Sequence, residues 1–221
     1  MFAAGMVLFT NATPPQFGSA GAGLNYTTTT TWNHDITGDF GLVFGLSYHQ
    51  GANTGGYPPS GNAPVVTASI GGQSATMMTP RVLVGVTYVY VNPVYYTRTW
   101  WLTAFSKAGP LTGTQTVAYT SGQGSTPNRY NANSVAYKGV ISTGTLITGT
   151  GTTISVPSSS AGVRYVAAFA NVTGTNFTGF NQSVRHDGNY LLIGDAVGNG
   201  GTLDFSVAQS GGAIVVPLLI T

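Results

Sequence analysis

The stretch TTTTTWNHDITGDFGLVFGLSY, from Thr27 to Tyr48, decides the fold class. Its five consecutive threonines lose χ1 freedom in a helix, whereas a pleated strand accommodates them. Gly38 and Asp39 carry a turn signal, and the residues that follow, up to Tyr48, are rich in β-formers and glycine. The stretch therefore predicts two β-strands that face each other across a short turn at Ile36–Asp39.

The rest of the chain repeats this pattern of β-rich runs separated by turn residues. Val65–Ile70 and Gln73–Met78 flank Gly71-Gly72, and Val82–Val91 and Tyr95–Thr103 flank Asn92-Pro93, which are two hairpin signals. Further strands are predicted at Gly113–Thr120, Ser134–Val140, Thr152–Val156, Val163–Asn171, Asn176–Val184, Tyr190–Asp195, Thr202–Ala208 and Ala213–Ile220. No window shows helical periodicity. About a dozen short strands with turns every roughly 8–12 residues predict an all-β antiparallel sandwich, jelly-roll-like.

The N-terminal residues differ from the rest of the chain. Residues 1–23 are rich in small side chains, and Pro14-Pro15 interrupts any regular element there. We predict an N-terminal arm and linker over 1–23 and a β-sandwich domain over 24–221; the open alternative is a plain first strand at Met6–Thr10. Met1–Phe9 is too short to span a bilayer and lacks a positive n-region. We expect no membrane insertion.

Charge is scarce in this sequence. Only 5% of residues are charged, against about 25% in ordinary domains, and all five acids are Asp. Because a free monomer relies on surface charge for solubility, we expect a homo-oligomer, with a trimer favoured, or a subunit fixed in a larger assembly. A net charge of +2 without a Lys/Arg cluster argues against nucleic acid. The absence of cysteine excludes disulfides and thiolate metal sites.

Two groups of polar residues are candidates for a catalytic or metal-binding site. For both, a structural role is the preferred interpretation. His34 and Asp35 are neighbours on a predicted strand and point to opposite faces, so they do not converge simply. Asp187, Asn189 and Asp195 have oxygens that Ca²⁺ accepts, but no D-x-D-x-D-G loop is present, and a turn between two strands is the preferred interpretation.

Enzyme signatures are missing from the sequence. No G-x-S-x-G nucleophile elbow precedes a helix, and the aspartates, such as Asp39 beside Gly38, stand mostly at predicted turns. They do not form the carboxylate pair that flanks a glycosidic bond. We therefore expect no enzyme, no cofactor and no bound metal.

Aromatic residues concentrate in one segment. Six fall between positions 88 and 101: Tyr88, Tyr90, Tyr95, Tyr96, Trp100 and Trp101. Because adjacent strand residues alternate faces, we expect one of Trp100 and Trp101 in the core and the other on an exposed or interfacial face. We name Trp100, Trp101, Tyr95 and Tyr96 as contact residues, for a subunit interface in the preferred interpretation and for a glycan in the alternative.

An ordered set of motifs suggests a family. It comprises FGSAGAG at Phe17–Gly23, TWNH at Thr31–His34, VFGLSY at Val43–Tyr48, VTASIGGQSATMM at Val66–Met78, TGTQTV at Thr112–Val117, SVAYKGV at Ser134–Val140 and LLIGDA at Leu191–Ala196. In this order the set resembles the β-sandwich domain of minor tail proteins of actinobacteriophages, especially mycobacteriophages, over about Phe17 to Ile220. Two positions depart from the pattern: Ser69-Ile70 stands where Tyr precedes the Gly pair, and Lys138 replaces a small polar residue.

The resemblance implies a structural protein in the tail of a bacteriophage virion. It places the protein at the distal tail, with other virion subunits as partners, and it implies no enzyme. Host-surface contact is a further expectation, and the exposed aromatic residues make a cell-surface glycan the candidate ligand. Two alternatives stay open. One is a capsid decoration or head-fibre protein, and the other is a carbohydrate-binding module.

Overall fold

The computed structural model describes residues 13–52, 63–121, 130–175 and 177–220. These residues form sixteen β-strands in two antiparallel sheets and no helix, so the predicted all-β antiparallel sandwich is confirmed. The jelly-roll likeness extends to the two facing sheets and not to the connectivity, because one sheet is complete before the other begins. Within these ranges there is no helix with the length and apolar character needed to cross a membrane.

The first sheet contains nine strands and the second seven. The first consists of β1 Gln16–Ala20, β2 Leu24–Thr27, β3 Thr31–Ala52, β4 Val66–Ile70, β5 Gln73–Ser74, β6 Thr76–Met77, β7 Val82–Val91, β8 Val94–Ser121 and β9 Tyr130–Lys138. Its order is β1-β9-β3-β8-β4-β5, with β2 beside β9 and with β6 and β7 beside β8. The second consists of β10 Ser142–Thr143, β11 Ile147–Val156, β12 Arg164–Ala170, β13 Gly179–Phe180, β14 Ser183–Asp187, β15 Leu191–Val197 and β16 Leu203–Leu219. Its order is β10-β16-β12-β15-β14, with β11 and β13 beside β16.

The turn predicted at Ile36–Asp39 is wrong, because β3 runs through it without reversing. The Gly-Asp signal marks a β-bulge, seen as a register shift between Gly38 and Phe40 in the pairing with β8. A Cβ on Gly38 would lie 2.5 Å from the carbonyl oxygen of Tyr137, so only glycine lets the strand approach β9 this closely. The predicted hairpin is therefore one long strand with a bend.

Two other pairs of predicted strands are likewise continuous. β8 joins the segments predicted at Tyr95–Thr103 and Gly113–Thr120, and β16 joins those predicted at Thr202–Ala208 and Ala213–Ile220. The pairing of β11 with β16 also contains a register shift, between Gly151 and Thr153. Each sheet is thus built on one long antiparallel strand pair, β3 with β8 or β11 with β16, and a register shift interrupts each pair.

The bends produce three apolar clusters instead of one. The central core lies between the sheets and includes Phe44, Trp100 and Leu102 from the first sheet and Val166, Ile193 and Ile214 from the second. The first inner cluster belongs to the first sheet alone and includes Trp32, Ile36, Val43, Phe105, Tyr119 and Ala136. The second inner cluster belongs to the second sheet and includes Ile154, Tyr165, Phe169, Phe205 and Val215. Each bent strand pair, β3 with β8 and β11 with β16, therefore folds one end back over its own sheet.

The local turn predictions succeed where the turn is short. Gly71 and Gly72 join β4 to β5 with φ of 59° and 74°, the positive values that a two-residue hairpin turn requires. Asn92-Pro93 joins β7 to β8 as predicted. The segment predicted as one strand over Asn176–Val184 is instead split between β13 and β14, and Asn176 lies outside the described residues.

The N-terminal boundary also moves. Gln16–Ala20, placed in a linker by the sequence, is an edge strand that pairs with β9 between Val135 and Lys138. Residues 1–12, including the alternative strand at Met6–Thr10, lie outside the described residues. Any N-terminal arm therefore ends before Gln16.

The β3–β8 strand pair folds back so that Tyr119 packs against Gly45. A single methyl group at Gly45 is therefore expected to destabilise the fold. A Cβ there would lie 2.2 Å from the ring of Tyr119, which is fully buried. We expect Gly45→Ala to lower the free energy of unfolding by about 1–3 kcal/mol through overpacking, measured by urea denaturation. The matched control is Gly201→Ala, because the nearest atom to a Cβ at Gly201 is 3.6 Å away and the site is exposed. Equal stability of the two variants would contradict the fold-back.

Candidate functional site

Trp100 and Trp101 lie on opposite faces of β8. Trp100 is 3% exposed and belongs to the central core, where its indole Nε1–H donates a hydrogen bond of 2.8 Å to Thr87 Oγ1. Its ring packs against Tyr48 with centroids 4.6 Å apart. Trp100, named as a contact residue from the sequence, therefore presents no surface to a partner. Trp101 is half-buried on the other face.

The outer face of the β7–β8 hairpin carries a row of exposed apolar side chains. Strand pairing places Tyr90 opposite Tyr95 and Tyr88 opposite Thr97, and it places Val86 and Leu83 opposite Thr99 and Trp101. Since residues 95, 97, 99 and 101 share one face of β8, their partners on β7 share it too. We call this surface the aromatic ledge; it consists of Leu83, Val86, Tyr88, Tyr90 and Tyr95, which are between 38% and 62% exposed.

The ledge has a defined geometry at its tip. The rings of Tyr90 and Tyr95 lie 4.6 Å apart, tilted by 41°. The Tyr90 hydroxyl donates to Asn92 Oδ1 at 3.2 Å. Tyr96, the fourth residue named from the sequence, lies on the opposite, inner face, half-buried and paired with Val89. Of the four contact residues named from the sequence, Tyr95 lies on the ledge, Trp101 is half-buried on the same face of β8, and Trp100 and Tyr96 lie on the inner face.

No ionic side chain lies on the ledge itself. The segment in which β7 and β8 pair, residues 82–102, carries one cation, Arg98, which pairs with Thr87 on the inner face. There its guanidinium stacks on the ring of Tyr48 at 4.7 Å and its Nε–H donates to Gln50 Oε1 at 2.8 Å. The ledge is therefore an uncharged surface made of aromatic and aliphatic carbon with tyrosine hydroxyls.

Asp195 is the centre of a buried ionic cluster. Its carboxylate, 0% exposed, accepts hydrogen bonds from Arg164 Nη1 at 2.6 Å, from Arg185 Nε at 2.7 Å and from the Tyr137 hydroxyl at 2.9 Å. Burial, together with the neighbouring Asp195 carboxylate, raises the pKa of Tyr137 well above its usual value. The hydrogen bond to Asp195 raises the pKa of Arg185. The cluster joins both sheets, because Tyr137 lies on β9 and the other three residues lie on β12, β14 and β15.

The same cluster holds the N-terminal segment. Arg164 Nε–H donates to the carbonyl oxygen of Pro15, and the guanidinium of Arg185 stacks on the Phe17 ring at 4.0 Å. The calcium hypothesis placed Asp195 beside Asp187 and Asn189, yet the carboxylate of Asp195 is engaged by cations instead. Asp187 ends β14 and is exposed. In the ranges the structure describes, no three His, Cys, Asp or Glu residues gather as a metal site would require.

His34 lies in a second closed polar network. Its Nδ1 is 2.8 Å from Ser134 Oγ and its Nε2 is 2.9 Å from Ser19 Oγ, while Trp32 Nε1–H donates to Ser134 Oγ at 3.0 Å. Asp35 points outward, as the strand alternation predicts, so no carboxylate completes a catalytic arrangement. Ser134 is fully buried and His34 is 1% exposed, which closes the Ser–His pair to any substrate.

Burial of His34 predicts a loss of stability in acid. Desolvation lowers the pKa of His34 from 6.5 to about 4 in the folded chain. Between these values the unfolded chain binds more protons, so stability is complete above about pH 6.5 and falls as the pH drops toward 4, by up to about 3 kcal/mol. We expect urea denaturation at pH 7 and pH 4.5 to show this loss in the wild type and a smaller loss in His34→Gln. An unchanged pH dependence in that variant would rule out His34 as its source.

Removing the charge of Asp195 predicts a large destabilisation. Asp195→Asn keeps the side-chain shape but leaves two guanidinium groups without a counter-ion. We expect a loss of about 3 kcal/mol in the free energy of unfolding, at the low end of the range for broken buried pairs because both arginines are partly exposed. Asp204→Asn is the control, since Asp204 is exposed and the expected change is within about 0.5 kcal/mol. Similar melting of the two variants would show that the cluster contributes little.

Comparison with known proteins does not assign a family or a function to this chain. No protein-family model matches the chain, and neither a curated protein nor a solved structure matches it. The resemblance to minor tail proteins therefore stays a prediction that rests on the motifs.

Proposed function

We propose that this chain is a structural virion protein of a tailed bacteriophage, a minor tail protein that acts by contact and not by catalysis. The order of the sequence motifs and the 5% charged composition support this role. The observation that carries it is the aromatic ledge, an uncharged row of exposed apolar side chains on a two-stranded hairpin.

The ledge has the properties of a protein contact surface. Soluble monomers rarely expose large contiguous apolar patches, and such patches mark interaction sites. Tyrosine is favoured in interfaces because it offers a large, rigid contact area together with a polar hydroxyl. Beneath the ledge, Trp100 and its hydrogen bond to Thr87 anchor the hairpin to the central core. We propose that the ledge packs on other virion subunits, including copies of this chain in a homo-oligomer, with a trimer favoured.

The internal polar groups support a role without catalysis. At two polar clusters of the described residues, the central groups are buried: His34 and Ser134 in one, and Asp195 in the other. Their hydrogen bonds join strands to one another: Ser19 to His34 to Ser134, and Tyr137 to Asp195. They therefore act as internal ties that make the sandwich rigid.

A carbohydrate-binding module is the second candidate, and one observation favours it. The tilted rings of Tyr90 and Tyr95 form an open aromatic pair on which a sugar ring of a host-surface glycan can stack. A capsid decoration or head-fibre protein would use the same ledge at another place on the virion.

Lysine substitutions on the ledge are expected to prevent oligomerisation and to leave the fold intact. We expect the wild type to sediment as an oligomer and the double variant Tyr88→Lys with Tyr90→Lys to sediment as a monomer with an unchanged melting temperature, because both side chains are exposed. The matched control is Phe180→Lys, an equally exposed apolar residue on the second sheet, which should keep the oligomer. A wild type that is monomeric at all concentrations, or a double variant that still assembles, would contradict the ledge as an assembly surface.

The place of the protein in the virion needs a separate experiment. An antibody raised against this chain should label the tail tip of intact particles in negative-stain images. Labelling of the head would favour the decoration alternative, and absence from particles would reject the virion role. A glycan array tests the carbohydrate alternative.

A further inference from the structure

A groove of about 580 Å³ opens on the outer surface at the bend of β3. Three strands line it: β3 contributes residues 35 to 39, β8 contributes Thr112 and Gly113, and β9 contributes Lys138. Its volume falls within the range of about 300–1,000 Å³ typical of small-molecule sites. Bulges are over-represented next to active sites, and at this bulge Asp39 of β3 stands opposite Gly109 and Pro110 of β8. The groove lies on different strand segments from the aromatic ledge.

The floor of the groove carries little side-chain bulk. The side chain of Ile36 packs into the first inner cluster, so its backbone faces the groove. Gly113 adds no side chain, and a Cβ built there would meet no heavy atom within 4 Å. The rim consists of five exposed polar residues: Asp35, Thr37, Asp39, Thr112 and Lys138.

The charged groups of the rim are set apart from one another. Asp39 Oδ2 accepts a hydrogen bond of 3.1 Å from the Gly139 backbone N–H, which orients that carboxylate. Within the described residues, the ion pairs shorter than 4.0 Å all belong to Asp195, so the Lys138 ammonium bonds to neither Asp35 nor Asp39. In a chain with five acids, two stand on this rim opposite one lysine. The groove therefore has a net charge of −1 with its polar groups turned to solvent.

We propose that this groove binds an amino sugar, a ligand that combines several hydroxyl groups with one positive charge. The carboxylates of Asp35 and Asp39 accept hydrogen bonds from the ligand ammonium and from adjacent hydroxyl groups, and charge-assisted bonds of this kind are the strong ones. Lys138 donates to a hydroxyl or ring oxygen of the sugar. The hydroxyls of Thr37 and Thr112 complete the polar rim.

Other ligand classes fit the groove less well. An acidic sugar meets a net negative charge. A calcium ion requires six to eight oxygen ligands, and the rim offers two carboxylates. A purely apolar ligand would bury the charged rim without compensating hydrogen bonds.

Glucosamine is the probe for the test, with glucose, glucuronate and Ca²⁺ as comparison ligands in the same NMR titration. We expect glucosamine to shift the amide resonances of residues 35–39 and 112–113, with weaker binding of glucose and none of glucuronate. Asp35→Asn should weaken glucosamine binding about tenfold, a change of about 1.4 kcal/mol. Asp187→Asn, an exposed carboxylate outside the groove, should bind like the wild type.

Several outcomes would overturn the proposal. They are no shift at the groove with glucosamine, equal affinity of wild type and Asp35→Asn, glucuronate binding as tight as glucosamine, or Ca²⁺ shifting these resonances when no sugar does. Thermal melts of each variant separate lost binding from lost folding. Because the Tyr88→Lys and Tyr90→Lys double variant leaves the groove intact, it should bind glucosamine like the wild type whether or not the ledge mediates assembly.

Discussion

The fold depends on two long, bent strand pairs, β3 with β8 and β11 with β16, in which residues from both faces of one strand pack in the inner cluster of its own sheet. Ile36 and Val43 are seven residues apart and would point to opposite faces of a regular strand, yet both pack in the first inner cluster. Ile147 and Ile154 show the same spacing on β11, and both pack in or against the second inner cluster. A register shift lies between the two residues in each case, and its extra residues belong to the partner strand, at Gly109-Pro110 of β8 and at residues 207–210 of β16. Because the strand bends there, opposite faces of its two halves reach the same inner cluster, and residues remain for the central core between the sheets.

Glycine makes these bends sterically possible, and this explains which sequence signals were misinterpreted. Gly71-Gly72 and Asn92-Pro93 produce turns through local backbone chemistry, so the sequence predicted both hairpins correctly. Gly38-Asp39 carries a similar local signal, but the close approach of Tyr137 makes it a bulge in a continuous strand. Gly211 is comparable, because a Cβ there would lie 2.1 Å from the carbonyl oxygen of Ala170. Contacts between residues so distant in sequence are invisible to period and turn patterns, and the strand lengths were therefore underestimated.

At the candidate sites too, the features set by neighbouring residues were predicted from the sequence. The features set by contacts between residues distant in sequence were not. Alternation predicted that Trp100 and Trp101 separate, but the choice of Trp100 for the core depends on which face of β8 meets the second sheet. Tyr88 and Tyr90 join Tyr95 only through the pairing of β7 with β8. The Asp195 cluster was missed because its partners come from three other strands, with no motif to connect them. Of the few charged residues in the chain, this cluster places Asp195, Arg164 and Arg185 largely inside. The outer surface is thereby even less charged than the composition suggests, which agrees with a protein that works through contact.

The fold-back of the β3–β8 strand pair is tested most directly by proton NMR at Gly45 and Tyr119. The ring of Tyr119 lies against the α-carbon of Gly45, on the side where a side chain would stand. The folded-back strand pair predicts strong nuclear Overhauser contacts between the Gly45 α-protons and the Tyr119 ring protons, together with an upfield ring-current shift of at least one of those α-protons. A chain that reverses at Ile36–Asp39 instead would show contacts between residues on either side of that turn and none between Gly45 and Tyr119, and this result would contradict the bent strand pair.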